Sequence, residues 1–190
     1  MARLLVVDTE TGGVDPQIHS ILSLAAVVWD DGKILAEFEV LIAEPVLAVT
    51  ARALEINGID LVEHCKQAVA PIGAWAQFQS FLWQNLTAEL ASAHKITLVG
   101  HNVNFDVEFI KRLFRLTGVA FENVFSHRVI DTAGILRFLT LSQRLKLSGA
   151  SSTEAFAHFG IEVPKGKRHT ALGDARATAQ LLSKLIDVVR

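Results

Sequence analysis

The sequence predicts an α/β or α+β fold on a mixed sheet of about five strands, and three observations carry that expectation. Short apolar, β-branched runs crowd residues 3 to 42. After them, helical periodicities alternate with further short strands. The closing segment repeats apolar residues at steps of three and four from Leu172 to Val189, the mark of a helix lying on a sheet.

Taken in order, residues 3 to 8 read as a buried strand that runs into Gly12-Gly13, a turn. Ile21 to Trp29 is a second apolar run. Asp30-Asp31-Gly32 separates it from Lys33 to Ile42, where Ile34, Ala36, Phe38, Val40 and Ile42 alternate with the rest. These three runs predict an antiparallel meander. Short helical pieces follow over 51 to 56 and 61 to 65, with Gly58 stopping the first. Pro71 opens a long helix whose apolar stripe is Trp75, Phe78, Leu82, Leu86 and Leu90. Ile96 to Gly100 is a strand, and the helix after it has Asn104 as N-cap and Phe105, Phe109, Leu113 and Leu116 as buried stripe. Val129 to Asp131 is the last short strand, followed by helices over 132 to 141 and 153 to 159. The final helix carries Leu172, Ala175, Ala179, Leu182, Ile186 and Val189 on one face. No repeat, low-complexity stretch or linker interrupts the 190 residues, which predicts one domain over 1 to 190.

Composition excludes several classes. With 51% apolar residues the chain is neither disordered nor collagen-like. Its single cysteine, Cys65, cannot close an internal disulfide, so a reduced cytoplasm is the expected compartment. The longest apolar run, 24 to 29, is too short to span a bilayer, and the first residues lack a signal-peptide cleavage pattern, so no membrane partner is expected. Eighteen basic against 20 acidic residues leave a formal charge of −2, which by itself argues mildly against a nucleic-acid partner.

The chemistry-bearing residues are acids. Asp8 and Glu10 stand two apart at a strand end, so both side chains share one face. Asp106 lies in the first turn of its helix, where the dipole favours an anion. Asp174 falls beside the buried stripe of the last helix, five residues after His169, and a carboxylate there is costly unless paired or metal-bound. Each alone reads as an ordinary strand-end or helix-start acid. Their contexts differ from that: Asp8-Thr9-Glu10-Thr11-Gly12, His101-Asn102-Val103-Asn104-Phe105-Asp106 and His169-Thr170-Ala171-Leu172-Gly173-Asp174 occur in that order. Together they resemble the three motifs of the DnaQ-like exonucleases, in the DEDDh branch. Ile21 to Val27 resembles the family's second strand, Asn57-Gly58-Ile59 its His-Gly-Ile segment, and Ile130-Asp131-Thr132 its usual strand end.

The resemblance implies an α/β, ribonuclease H-like fold with a mixed five-stranded sheet, its first three strands antiparallel, flanked by helices. It also implies a metal-dependent 3′→5′ exonuclease that hydrolyses phosphodiester bonds at DNA or RNA 3′ ends and releases nucleoside 5′-monophosphates. Two Mg²⁺ or Mn²⁺ ions would be held by Asp8, Glu10, Asp106 and Asp174, an oxygen-only set that suits hard cations. His169 resembles the family's general base, and an imidazole pKa near 6.5 suits proton abstraction at neutral pH, so activity should fall below roughly pH 6.5. Thr9, Thr11 and Gly12 would meet the terminal nucleotide, with Ile56, Asn57 and Phe105 flanking its base and sugar. Asn57 stands where the family often has histidine. His101 and Asn102 would order the loop that places Asp106.

Two doubly charged ions would turn the formal charge from −2 to +2, which removes the objection to nucleic acid. Lys111, Arg112, Arg115, Lys165, Lys167 and Arg168 are candidate phosphate-facing groups, and the Gly- and Lys-rich stretch before His169 reads as a loop able to close on a phosphate. The expected partner is a 3′ end, single-stranded by preference, with a homodimer or a polymerase as further partners. The alternative reading is a noncatalytic module that holds nucleic acid or a polymerase, as a proofreading subunit would. The presence of all five motif residues favours the enzyme, and the final helix reaching Arg190 favours a stand-alone one. The sister branch of the family uses a tyrosine where His169 stands, and the chain has no tyrosine.

Overall fold

A computed structural model describes residues 3–164 and 169–190. The N-terminal meander comprises β1 (Leu4–Thr11), β2 (Ile21–Asp30) and β3 (Lys33–Leu41), each antiparallel to the next. β4 (Ile96–Gly100) pairs parallel to β1, and β5 (Phe125–Asp131) parallel to β4. The resulting sheet has the order β3-β2-β1-β4-β5, the mixed five-stranded arrangement expected from the sequence. β5 starts four residues before the predicted strand because Phe125 packs into the core ahead of the exposed residues His127 and Arg128.

Side-chain alternation divides the sheet into two faces. Leu5, Val7, Leu24, Ala26 and Leu98 face one core, shared with α3 (Pro71–Asn85) and α5 (Asn104–Thr117). Val6, Ala25, Val27, Trp29 and Val99 face the other, covered by Ala171, Ala175, Ala179 and Leu182 of α8 (Ala171–Val189). The first core is rich in rings: Trp75 meets Phe114 edge-on at 4.6 Å, and Phe38 stacks on Phe78 at 5.3 Å. A third cluster joins α6 (Thr132–Leu141), α7 (Ser152–Phe159) and the second face of α8, where Ala177, Leu181 and Leu185 lie. α8 therefore carries two buried faces where one stripe was expected, and Val189 is exposed.

Three local expectations are corrected. The helix from Pro71 ends at Asn85, because Leu86 leaves the helical region (φ −134°), and Leu90 belongs to a separate short helix, α4 (Thr87–Ala91). The N-cap of α5 is Val103 rather than Asn104: Val103 is fully buried, no side chain caps the helix, and Asp106 in the first turn supplies the favourable charge. Phe105 and Leu116 are exposed by 39% and 45%, and the buried face of α5 runs instead through Asp106, Val107, Phe109, Ile110, Leu113 and Phe114. The short helices α1 (Ala51–Asn57) and α2 (Leu61–Gln67) form as expected, with Gly58 at φ +65° closing the first. Among the described residues no helix is long and apolar enough to cross a membrane.

Candidate active site

The parity of β1 puts Asp8 and Glu10 on the same side as Val6, toward α8. The pairing with β2 slips between Glu10 and Thr11, an irregularity that ends the regular ladder at the second acid. Asp174 enters from the first turn of α8, whose N-cap Thr170 accepts a hydrogen bond from the Gly173 N–H at 3.2 Å. One ligating oxygen from each of Asp8, Glu10 and Asp174 lies within 4.8 Å of the other two. Three acids so close, all on oxygen donors and at the edge of a buried region, fit a hard divalent cation.

Asp106 stands outside that trio, and the intervening residue explains where it is. Thr9, between the two strand acids, points to the opposite face and donates both its N–H (2.9 Å) and its hydroxyl (2.8 Å) to Asp106 Oδ1. Asp106 is 5% exposed, and this burial, with a small contribution from the charge of Asp131, pushes its carboxyl up to about 7 against the two Thr9 bonds that favour the anion.

His169 takes a left-handed backbone conformation (φ +59°), its ring is exposed, and its N–H donates to Asp174 Oδ2 at 3.3 Å. Strain of this kind is tolerated where surrounding structure fixes it. The start of α8 is fixed from β3: Glu39 accepts from the Leu172 N–H at 3.3 Å, and Arg176 grips Glu37 through two parallel bonds that hold the Glu37 carboxyl below its ordinary range. A cavity of about 300 Å³ lies here, bordered by Glu10, Asn57, Ile59, His169 and Arg176.

The expected nucleotide-facing residues divide into two groups. Ile56 and Phe105 present exposed apolar surface, Phe105 with its other side against Phe109 at 5.0 Å. Thr9, Thr11 and Gly12 are engaged internally. The Thr11 hydroxyl donates to the Gly13 carbonyl, the Gly12 N–H donates to the Ser20 carbonyl, and the Gly12 carbonyl accepts from Thr50 N–H. A side chain at 12 would meet the Ala48 carbonyl at 2.3 Å, so that close approach requires glycine. Asn57 bridges locally, donating to the Thr11 carbonyl at 3.2 Å and accepting from Ile59 N–H at 3.1 Å.

Asp131 and Thr132 are functional neighbours that motif reading treated only as a strand end. Asp131 Oδ1 accepts from Asn102 N–H at 2.8 Å and caps α6, while Thr132 bonds both the Gly100 carbonyl and His101 Nδ1 at 3.0 Å. Together they hold the loop that delivers Asp106. Arg112, expected to face phosphate, is turned inward on Glu44 instead, because that buried acid would otherwise be uncompensated. Lys165, Lys167 and Arg168, and with them the closing loop, lie outside the described residues.

Comparison with known proteins identifies the family. A family model described as exonuclease matches residues 5–182. The chain is 29% identical over 192 residues to the PolC-type DNA polymerase III of Thermotoga petrophila, a match over 100% of this chain and 12% of that protein. It is 26% identical to ribonuclease T of Blochmanniella pennsylvanica, over 96% of this chain and 83% of that one. The fold superposes on E. coli exonuclease I in complex with a dT13 oligonucleotide with a TM-score of 0.78, at 18% identity and over 97% of this chain and 41% of that one. The chain thus spans only a small part of the polymerase it matches. On the match over 5–182, the chain belongs to the exonuclease family.

Proposed function

We propose that this chain is a metal-dependent 3′→5′ exonuclease domain, acting on single-stranded DNA or RNA ends and releasing nucleoside 5′-monophosphates. The observation that carries the reading is the convergence of Asp8, Glu10 and Asp174 within 4.8 Å on the α8 side of β1, with Asp106 bonded to Thr9, the residue between the two strand acids. These four acids would hold two Mg²⁺ or Mn²⁺ ions, which when bound supply charge stabilisation to the attacking and leaving oxygens of the phosphodiester. The protein's own groups do the rest. His169, exposed beside Asp174, takes the proton of the attacking water. Glu37 and Glu39 orient the first turn of α8, and Asp131 with Thr132 orients the loop before Asp106. The exposed faces of Ile56 and Phe105 offer apolar support to the terminal nucleotide. The whole span of 1–190 acts as a single domain in this reading, in the cytoplasm.

The match to one segment of a PolC-type polymerase supports a second reading, in which the domain works beside a polymerase as a proofreading module or serves only to hold it or a strand. A homodimer is the other assembly consistent with the family resemblance. Retention of all five motif residues favours catalysis in either setting. The test is incubation with 5′-labelled single-stranded DNA and RNA in Mg²⁺, Mn²⁺ or EDTA. A ladder shortened from the 3′ end, metal-dependent and accompanied by nucleoside 5′-monophosphates, is expected; no shortening of either polymer under any ion overturns the catalytic reading in favour of the binding module.

A further inference from the structure

A second concave surface lies along the open edge of the sheet. Among the described residues β5 pairs with β4 alone, and a groove of about 660 Å³, larger than the cavity beside His169, is lined by β5, the start of β4 and α5. Asn104, Glu108 and Lys111 line it from α5 at helical spacing, Lys95 from the residue before β4, and His127 and Arg128 from β5. Asn104 is the first residue of α5 and shares its first turn with Asp106, so one end of the groove lies at the end of the helix that carries the fourth acid. From there to Lys111 the helix rises about 10 Å, a length that extends well past one terminal nucleotide.

Charge identifies the occupant. Lys111 is spent locally, with Nζ 2.7 Å from Glu108 and 5.6 Å from the centre of the Phe121 ring. Among the described residues neither Lys95 nor Arg128 makes an ion pair, and His127 and Arg128 are exposed, so the groove keeps a cationic strip opposed only by Glu122. On a chain with a formal charge of −2, a local cationic strip that opens at the end of α5 carrying Asp106 suits a polyanion. We propose that this groove carries the sugar-phosphate backbone of the strand upstream of the 3′ terminus, with Lys95 and Arg128 as its phosphate contacts. The proposal rests on the exonuclease reading for the direction of the strand.

The test compares the wild type with Lys95→Ala/Arg128→Ala on a trinucleotide and a dodecamer, each as DNA and as RNA, across a salt series. A Lys33→Ala/Lys184→Ala protein, with equal charge loss far from the groove, is the control. The groove predicts that KM for the dodecamer rises about tenfold with kcat unchanged, that the trinucleotide is affected less than about twofold, and that the salt slope becomes shallower by about 1.4, two single-strand phosphate contacts. Equal KM and slope in wild type and variant, or the same loss in the control, overturns it. If the wild type shortens neither polymer, the exonuclease reading fails separately. Anisotropy of a labelled dodecamer in EDTA then decides the groove: about tenfold weaker binding in the variant supports it, and equal binding overturns it.

Discussion

Arg112 of α5 and Glu44 after β3 form a two-pronged pair, with Nε 2.8 Å from Oε1 and Nη2 2.6 Å from Oε2. The Glu44 side chain is 3% exposed and also accepts from Ile21 N–H, while Arg112 Nη1 donates to the Pro16 and Gln17 carbonyls. One ion pair thus ties α5, the start of β2 and the loop after the catalytic strand. Removing one partner strands the other charge in the interior. Glu44→Ala should lower the unfolding free energy by about 3 kcal/mol in urea titration, whereas Arg112→Leu/Glu44→Leu should cost less than the sum of the single changes.

Asp106 sets a pH dependence of the metal-free protein. Its carboxyl sits near 7 in the fold against 3.8 as a model acid, so the folded state holds the proton more tightly. The stability this group contributes is full below about pH 4 and is lost as pH rises through about 7. In EDTA the melting temperature should therefore fall between pH 5 and pH 8, and Asp106→Asn should flatten that slope. An unchanged slope in the variant would remove Asp106 as its source.

Thr9 works against that burial. Thr9→Val keeps the shape and the backbone N–H bond but deletes the hydroxyl bond, so the Asp106 carboxyl should rise further above 7. In EDTA the loss of stability with rising pH should shift to higher pH than in the wild type; equal stability–pH profiles in the two metal-free proteins would contradict the assignment.

The backbone of His169 dictates how its role is tested. At φ +59°, asparagine is tolerated and a β-branched residue is not. His169→Asn should reduce kcat by about 10²- to 10⁴-fold with an unchanged melting temperature, and His169→Val should lose both activity and stability. A His169→Asn protein with wild-type kcat would exclude the imidazole as base.

Much of this was legible in sequence because it depends on short-range periodicity. Alternation in β1 put Asp8 and Glu10 on one face, and the stripe of α8 located Asp174 at its buried margin. What escaped depends on partners distant in the chain. Arg112 looks like a surface cation until Glu44, 68 residues away, is found beside it. Phe105 has the spacing of a core residue, yet it sits at the helix start beyond the rim of the sheet and stays exposed. Asp131 reads as an ordinary strand end, and only the parallel pairing of Gly100 with Asp131 shows that it holds the loop before Asp106. The break at Leu86 is equally hidden, since Leu90 keeps the period of the helix it does not join.

Asp8, Glu10 and Asp174, with Asp106, are proposed to hold the divalent ions that drive hydrolysis. That assignment is tested most directly by the rate of 3′ shortening against Mg²⁺ concentration in the wild type, Asp8→Asn and Asp174→Asn. Steep ion dependence in the wild type and a loss of about 10³-fold or more in each variant, at unchanged melting temperature, is the predicted result. Wild-type rates in either variant, or shortening that persists in EDTA, would contradict it.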